Sequence, residues 1–327
     1  MGDLPLERVT PAPAFLRVGI DYCGPFSLRH TSRKAIPARC YLCLFICLVV
    51  KAVHIEVVAD LTTEAFIAAL KRFIARRGKP EVIFCDNATN FVGARRELSE
   101  LHRLFRSEQF QNPIVTEAAK DMIDFKFIPA KSPNFGGLWE AAVKSLKGHM
   151  RRVIGNNLLR PDEMFTVVTQ IEACLNSRPI TPLSNDHRDL EALTPGHFLI
   201  QRPLTAIPEP SLTDIPENRL SRWQLVQQFF QTIWKRWSTE YLSDLHNRNK
   251  WTRRRNNLHI GTMVLVKDDN LPPLKWQLGR VTEIHPGTDG NIKVFTVRTQ
   301  QGTYRRGILK ICILPIRDNQ PHVEDTQ

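Results

Sequence analysis

The chain has 327 residues, 42% of them hydrophobic and 24% charged; it is too long for one ordinary small domain and has enough apolar residues to bury a core. Lys and Arg outnumber Asp and Glu by 45 to 33, for a net charge of +12 and a pI near 9.6. Such a surplus points to an anionic partner, nucleic acid being the commonest, with a merely basic protein as the plain alternative. The surplus is uneven: residues 1–200 hold 26 basic and 21 acidic groups, residues 201–327 hold 19 and 12.

Cysteine usage and the opening residues bear on the setting. Seven cysteines is an odd number, and Met1-Gly2-Asp3-Leu4-Pro5 has neither a basic start nor an apolar run. The expectation is a reduced, intracellular protein without a signal peptide or membrane span. Cys40, Cys43 and Cys47 have a tempting metal-ligand spacing. They lie, however, inside an apolar run reaching Val50, too short to cross a bilayer, and read as packing residues of a core strand with no zinc.

In chain order, strand patterns cover residues 16–22, 41–50 and 52–58. A helix over 62–77 follows, with Thr63 as a cap and Ala65, Phe66, Ala69, Leu70 and Phe73 as its apolar face. Gly78-Lys79-Pro80 ends it. Residues 81–85 read as a buried strand, about 93–105 as a helix, 116–122 as a weaker helix and 125–128 as a strand. A Pro-, Asn- and Gly-rich loop over 129–137 leads to a long helix at 138–154 and another at 161–177. Three strands joined by short turns make an antiparallel meander, and later strands alternating with helices join it in parallel. The expected fold class is therefore α/β: a mixed five-stranded sheet with flanking helices, the order of the RNase H-like fold.

Residues 181–218 are proline-rich and read as a linker. An amphipathic helix carries Trp223, Val226, Phe230, Ile233, Trp234, Trp237, Tyr241 and Leu245 at helical spacing. Short strands at 263–267, 276–284, 292–299, 303–310 and 311–314 then suggest a small SH3-like β-barrel.

Three acids stand out. Asp21 ends the apolar run Val18-Gly19-Ile20, and Asp86 ends Val82-Ile83-Phe84-Cys85, so two strands can bring their carboxylates to one point above the sheet. Glu140 opens the long helix, where the dipole favours an anion, with Lys144 and Lys147 on its face. Singly, each has an ordinary explanation as a solvated acid, a cap or a surface pair. Together, three carboxylates can hold two divalent ions that grip the attacking and leaving oxygens of an in-line phosphoryl displacement.

The surrounding residues carry a family resemblance. Val18-Gly19-Ile20-Asp21-Tyr22-Cys23-Gly24-Pro25-Phe26 is similar to the first-aspartate block of retroviral and retrotransposon integrases. Phe84-Cys85-Asp86-Asn87-Ala88-Thr89-Asn90-Phe91 resembles their second block. Ser132-Pro133-Asn134-Phe135-Gly136-Gly137-Leu138-Trp139-Glu140-Ala141-Ala142-Val143-Lys144 resembles the third, in the form typical of BEL/Pao-type elements. Asn176-Ser177-Arg178-Pro179-Ile180-Thr181-Pro182 and Leu193-Thr194-Pro195-Gly196-His197-Phe198-Leu199 continue the likeness, which covers nearly the whole chain.

That resemblance implies Asp21, Asp86 and Glu140 as catalytic metal ligands for two Mg²⁺ or Mn²⁺ ions. It also implies DNA as partner and substrate, homo-oligomerisation, work in the nucleus, trimming of element ends and attack of the freed 3′-OH on target DNA. Asn134, Lys144, Lys147 and Arg151 become DNA contacts. The implied plan is a linker at 1–13, a catalytic core at 14–200, a Pro-rich linker at 201–218, a helical and barrel domain at 219–317 and a disordered tail at 318–327. There are departures: 53 residues separate Asp86 from Glu140, more than in the retroviral pattern, and Ala88 stands where many relatives have glycine. Nothing before Asp21 supplies the paired His and Cys of the family's zinc module, so the expectation is a fragment or a derivative that lost it.

Arg248, Lys250, Arg253, Arg254 and Arg255, interleaved with Trp251 and four asparagines, suit salt-dependent phosphate contacts; a solvated helix end is the alternative. The leading function is a metal-dependent polynucleotidyl transferase performing DNA integration. Against it stands a non-catalytic nucleic-acid-binding scaffold derived from such an enzyme.

Overall fold

The computed structural model describes residues 6–29, 37–86, 88–106, 123–127, 146–155, 157–184, 186, 188–251, 258–268, 271–287 and 292–315. The chain divides into two compact units, Met1–Leu175 and Asn176–Gln327.

After a short helix α1 (Leu6–Val9), the first unit is built on a five-stranded sheet. Its strands are β1 (Arg17–Leu28), β2 (Ala38–Cys47), β3 (Val53–Val58), β4 (Val82–Cys85) and β5 (Asp124–Phe127), in the order β3-β2-β1-β4-β5. β1, β2 and β3 form the antiparallel meander, while β4 and β5 add in parallel. The expected mixed sheet is what forms, with β1 longer than its apolar run predicted. β1 passes through an irregularity between Cys23 and Phe26 and pairs again with β2 as far as Leu28. Gly24 makes that passage possible. Its φ of 150° is one that side-chain-bearing residues rarely adopt, and a Cβ would stand 2.8 Å from the Tyr41 ring.

The cysteine run lies in β2, where Cys40, Cys43 and Cys47 are buried together with Leu42, Leu44, Phe45 and Ile46. Helix α2 (Thr63–Arg77) buries Phe66, Ala69, Leu70 and Phe73. Its cap is Thr62, not Thr63: the Thr62 hydroxyl accepts the Ala65 N–H at 3.2 Å. One residue earlier is the position from which a side-chain oxygen reaches the third amide. Phe73 stacks on Phe45 at 4.3 Å and meets Phe15 edge-on at 5.4 Å, tying α2 to the sheet. Helix α3 (Thr89–Arg106) starts four residues before the predicted point. A further helical stretch, α4, covers 146–154, and α5 spans Pro161–Asn176. The predicted features at 116–122 and 129–137 lie outside the described residues.

β3 is an edge strand whose alternate residues His54 and Glu56 are 1% and 2% exposed. His54 Nε2 lies 2.8 Å from Glu56 Oε1, and its Nδ1 lies 3.3 Å from Glu172 of α5. Arg72 and Arg76 of α2 pair with Glu56, and Arg77 pairs with Glu172. Glu172 also accepts the Ile55 N–H at 2.8 Å. Burial disfavours the charged imidazole, but the hydrogen bonds to Glu172 and Glu56 outweigh it, so His54 is held above its ordinary value. Burial likewise opposes both carboxylates, and their imidazole and guanidinium partners nevertheless hold them below theirs. Buried charge is tolerated only when paired in this way.

The second unit begins with a two-strand ladder, β6 (Thr181–Pro182) with β7 (Ala192–Leu193), and a short helix α6 (His197–Ile200). Much of the proline-rich stretch is therefore ordered. Helix α7 (Arg222–Trp251) holds residues 209–215 through a row of amides. Gln231 accepts from Leu212 N and donates to Pro210 O, and Gln228 donates to Leu212 O and Ile215 O. Trp234 and Trp237 are buried against Trp276, so these tryptophans pack the tail. Trp223, assigned by its spacing to the same face, is 59% exposed, although Leu225 and Val226 beside it are buried.

The antiparallel sheet β8 (Met263–Val266), β9 (Gln277–Pro286), β10 (Ile292–Thr299), β11 (Gly302–Gly307) and β12 (Ile311–Ile313) runs in the order β11-β10-β9-β8-β12. This matches the strand plan of the predicted barrel. It encloses Val264, Val266, Val281, Phe295, Val297 and Ile311. Arg280, 4% exposed, donates to three carbonyl oxygens, those of Ser184, Asp189 and Gly261.

Candidate active site

Asp21 sits in mid-strand on β1, half-buried, rather than at the strand's end as its sequence pattern suggested. Asp86 directly follows the last residue of β4 and is exposed. The β1–β4 ladder pairs Arg17 with Val82, Val18 with Ile83 and Gly19 with Phe84. Asp21 lies two residues beyond the last β1 residue of this ladder and Asp86 two residues beyond the last β4 residue, so both acids follow the same end of the parallel pair.

Local hydrogen bonds orient each acid. Asp21 Oδ1 accepts the Tyr22 N–H at 2.6 Å, and Asp86 Oδ1 accepts the Ala88 N–H at 3.0 Å. The second bond closes an Asx turn, which carries the chain from β4 into α3. Ala88, with a side chain where glycine was the expected family residue, supplies that N–H without difficulty.

Side chains alternate across β1, so Asp21 and Cys23 share one face while Ile20 and Tyr22 share the other. Burial raises the Cys23 thiol to about 12, while Lys147 and Arg151 act to lower it and Asp21 to raise it. Two α4 cations, one turn apart, thus act on the face of β1 that carries Asp21. On the other face the Tyr22 ring stacks on Phe91 of α3 at 5.4 Å with an 18° interplanar angle.

The fit to divalent metal can be judged on this arrangement. Carboxylate oxygens are the hard donors that Mg²⁺ and Mn²⁺ prefer, and two of them follow the same end of the β1–β4 pair. Among the described residues no three His, Cys, Asp or Glu side chains converge on a metal position. Glu140, Asn134 and Lys144 lie outside the described residues. So do Arg253, Arg254 and Arg255 and the side chains of Arg248 and Lys250, whose backbone belongs to α7.

Two groups of residues escaped the sequence reading. Tyr22 and Phe91 sit inside the motif blocks, yet their stacking is a contact between residues 69 positions apart. The His54–Glu56–Glu172 cluster left one signal, polar residues alternating within the apolar run of β3, with arginines at helical spacing in α2.

Residues 221–314 match the model of a family of unknown function (DUF5641). No curated protein matches the chain. Among solved structures the chain is similar to a chain of the simian T-cell lymphotropic virus intasome in complex with PP2A regulatory subunit B56 gamma. That match has 12% identity over 96% of this chain and 84% of that one, with a TM-score of 0.37. It is also similar to the HTLV-2 integrase catalytic core domain in complex with magnesium. The dimeric form matches at 16% identity over 50% of this chain and 88% of that one, TM-score 0.31; the trimeric form at 18% over 45% and 77%, TM-score 0.27. At these TM-scores the likenesses carry no argument about function. No helix among the described residues is long and apolar enough to cross a membrane.

Proposed function

We propose that this chain is a metal-dependent polynucleotidyl transferase of the integrase type, similar to those of BEL/Pao elements. On this reading it trims element DNA ends and joins them to target DNA in the nucleus as a homo-oligomer. The observation that supports the proposal is the parallel β1–β4 pair, since Asp21 and Asp86 both follow the same end of its ladder and their motif blocks resemble the first two acidic blocks of such enzymes.

Asp21, Asp86 and Glu140 would hold Mg²⁺ or Mn²⁺. When bound, the ions supply charge stabilisation to the attacking and leaving oxygens of an in-line displacement. Lys147 and Arg151, with Lys144 and Asn134, would hold the phosphodiester. The Asx turn keeps one Asp86 oxygen on the Ala88 N–H, which leaves the other to face a ligand. Arg248, Lys250, Arg253, Arg254 and Arg255 would add sequence-independent phosphate contacts, weakening with salt.

The test is strand transfer on a model element end with Mg²⁺ or Mn²⁺. Asp86→Asn and Glu140→Gln should each abolish product while DNA binding persists. Unchanged product in both variants would overturn the assignment. Wild-type protein that binds DNA yet neither cuts nor joins it would favour the non-catalytic scaffold instead.

A further inference from the structure

The β1–β4 ladder stops at Gly19 and Phe84, two levels short of the acids, and β4 itself ends at Cys85. Ladder hydrogen bonds therefore do not set the distance between Asp21 and Asp86. Two carboxylates so placed repel one another, and the exposed Asp86 turn is the side free to move away. Some other contact must hold the turn in.

We infer that Tyr22 and Phe91 are positioning residues whose stacked rings hold the Asp86 turn against β1, at the spacing where both carboxylates can share a divalent cation. The inference rests on the metal reading above. Tyr22 is bonded directly to Asp21, and its own N–H is donated to the Asp21 carboxylate. Phe91 belongs to the first turn of α3, where its N–H is donated to Ala88 O at 3.1 Å. Ala88 in turn donates to Asp86. The path Asp21–Tyr22–Phe91–Ala88–Asp86 is thus continuous, made of one covalent link, one ring contact and two hydrogen bonds.

The far end of this path is anchored. Phe91 meets Phe66 of α2 edge-on at 4.9 Å, and both rings are buried. A close helix contact braces the same region, since a Cβ on Gly93 of α3 would meet the Thr63 side chain of α2 at 2.1 Å. The stack lies on the face of β1 opposite Asp21, which lets it fix the turn without occupying the space a cation would need.

Mn²⁺ binding to the full chain, followed by the electron paramagnetic resonance of free Mn²⁺ without DNA, separates positioning from plain packing. Asp86→Asn should lose binding, and Tyr22→Phe, which keeps the ring, should bind as wild type does. Tyr22→Leu and Phe91→Leu should each weaken binding roughly two- to tenfold, the range a ring pair is worth. The double variant should be no weaker than the weaker single one, because both changes break one contact. All variants are compared below their melting points by circular dichroism, and if Tyr22→Leu fails to fold, Phe91→Leu carries the test. Wild-type affinity in the leucine variants, with binding lost in Asp86→Asn, would overturn the positioning role and leave the metal reading standing. Loss of binding in Tyr22→Phe would also overturn it, since the ring would then not be the determinant. Wild-type affinity in Asp86→Asn would instead remove the metal reading itself.

Discussion

The first unit carries two pairs of acids and surrounds them in opposite ways. Glu56 and Glu172 are sunk beside β3 and wrapped in His54, Arg72, Arg76 and Arg77 from neighbouring elements. Asp21 on β1 and Asp86 just after β4 are half-buried and exposed respectively, each taking a backbone N–H. The first pair is neutralised by charges built into the fold and serves to clamp β3, α2 and α5 together. The second has one half-buried and one exposed carboxylate, with no such ring of cations packed around it among the described residues. What the fold packs around each pair thus decides how far its charge is neutralised.

The largest effect that would sharpen this contrast is on stability. Glu56→Ala leaves His54 and two arginines without their carboxylate, and breaking a buried ion pair costs about 3–5 kcal/mol. Arg72 and Arg76 are 43% and 54% exposed, so water recovers part of the loss and about 3 kcal/mol is expected by urea unfolding. Asp86→Asn should stay within about 1 kcal/mol of wild type in the same assay, as exposed charges do. A loss in Asp86→Asn as large as that in Glu56→Ala would erase the distinction.

Next comes Arg280 of the second unit, where the same problem is solved with carbonyls instead of carboxylates. Arg280→Ala strips donors from three backbone oxygens and should cost roughly 1–3 kcal/mol.

A smaller effect follows pH. His54, held above 6.5, contributes its full stabilisation below 6.5 and loses it as pH rises through the raised value. Glu56 and Glu172, held below 4.5, contribute fully above 4.5 and lose it as pH falls through their lowered values. The clamp should therefore be strongest between pH 4.5 and 6.5, and His54→Gln should remove the decline on the alkaline side only. A thermal melting series across pH checks both limbs.

The smallest expected effect is on thiol reactivity. All seven cysteines are buried thiols outside any disulfide, and burial raises Cys40 to about 11 and Cys85 and Cys312 to about 12. Iodoacetamide at pH 7.5 should label none of them until denaturant is added. Rapid native labelling of Cys85 would mean that the Asp86 end of β4 opens readily.

Much of the fold was legible because burial writes a period into the chain. The β2 cysteines read correctly as packing groups from the apolar run around them, and the amphipathic stretch ending at Leu245 read correctly as one long helix. Misreadings clustered where a single residue's role depends on a neighbour. Thr62 caps α2 in place of Thr63, Trp223 is exposed despite its spacing, and β1 runs on past Asp21 because Gly24 lets it cross an irregularity.

The sequence by itself determined the element order, the apolar faces and the identity of Asp21 and Asp86 as acids closing apolar runs. Those properties are local, set by side-chain period and by the residues on either side. Only the tertiary structure decided that the two acids follow the same end of one parallel strand pair, because pairing is not a property of either strand alone. It alone also brought Glu172 to His54 and Phe91 to Tyr22. Contacts between residues 118 and 69 positions apart leave no periodic trace in the chain. Asp21 and Asp86 were therefore visible as candidates from the sequence, while the ring contact between the segments that carry them became visible only in the folded chain.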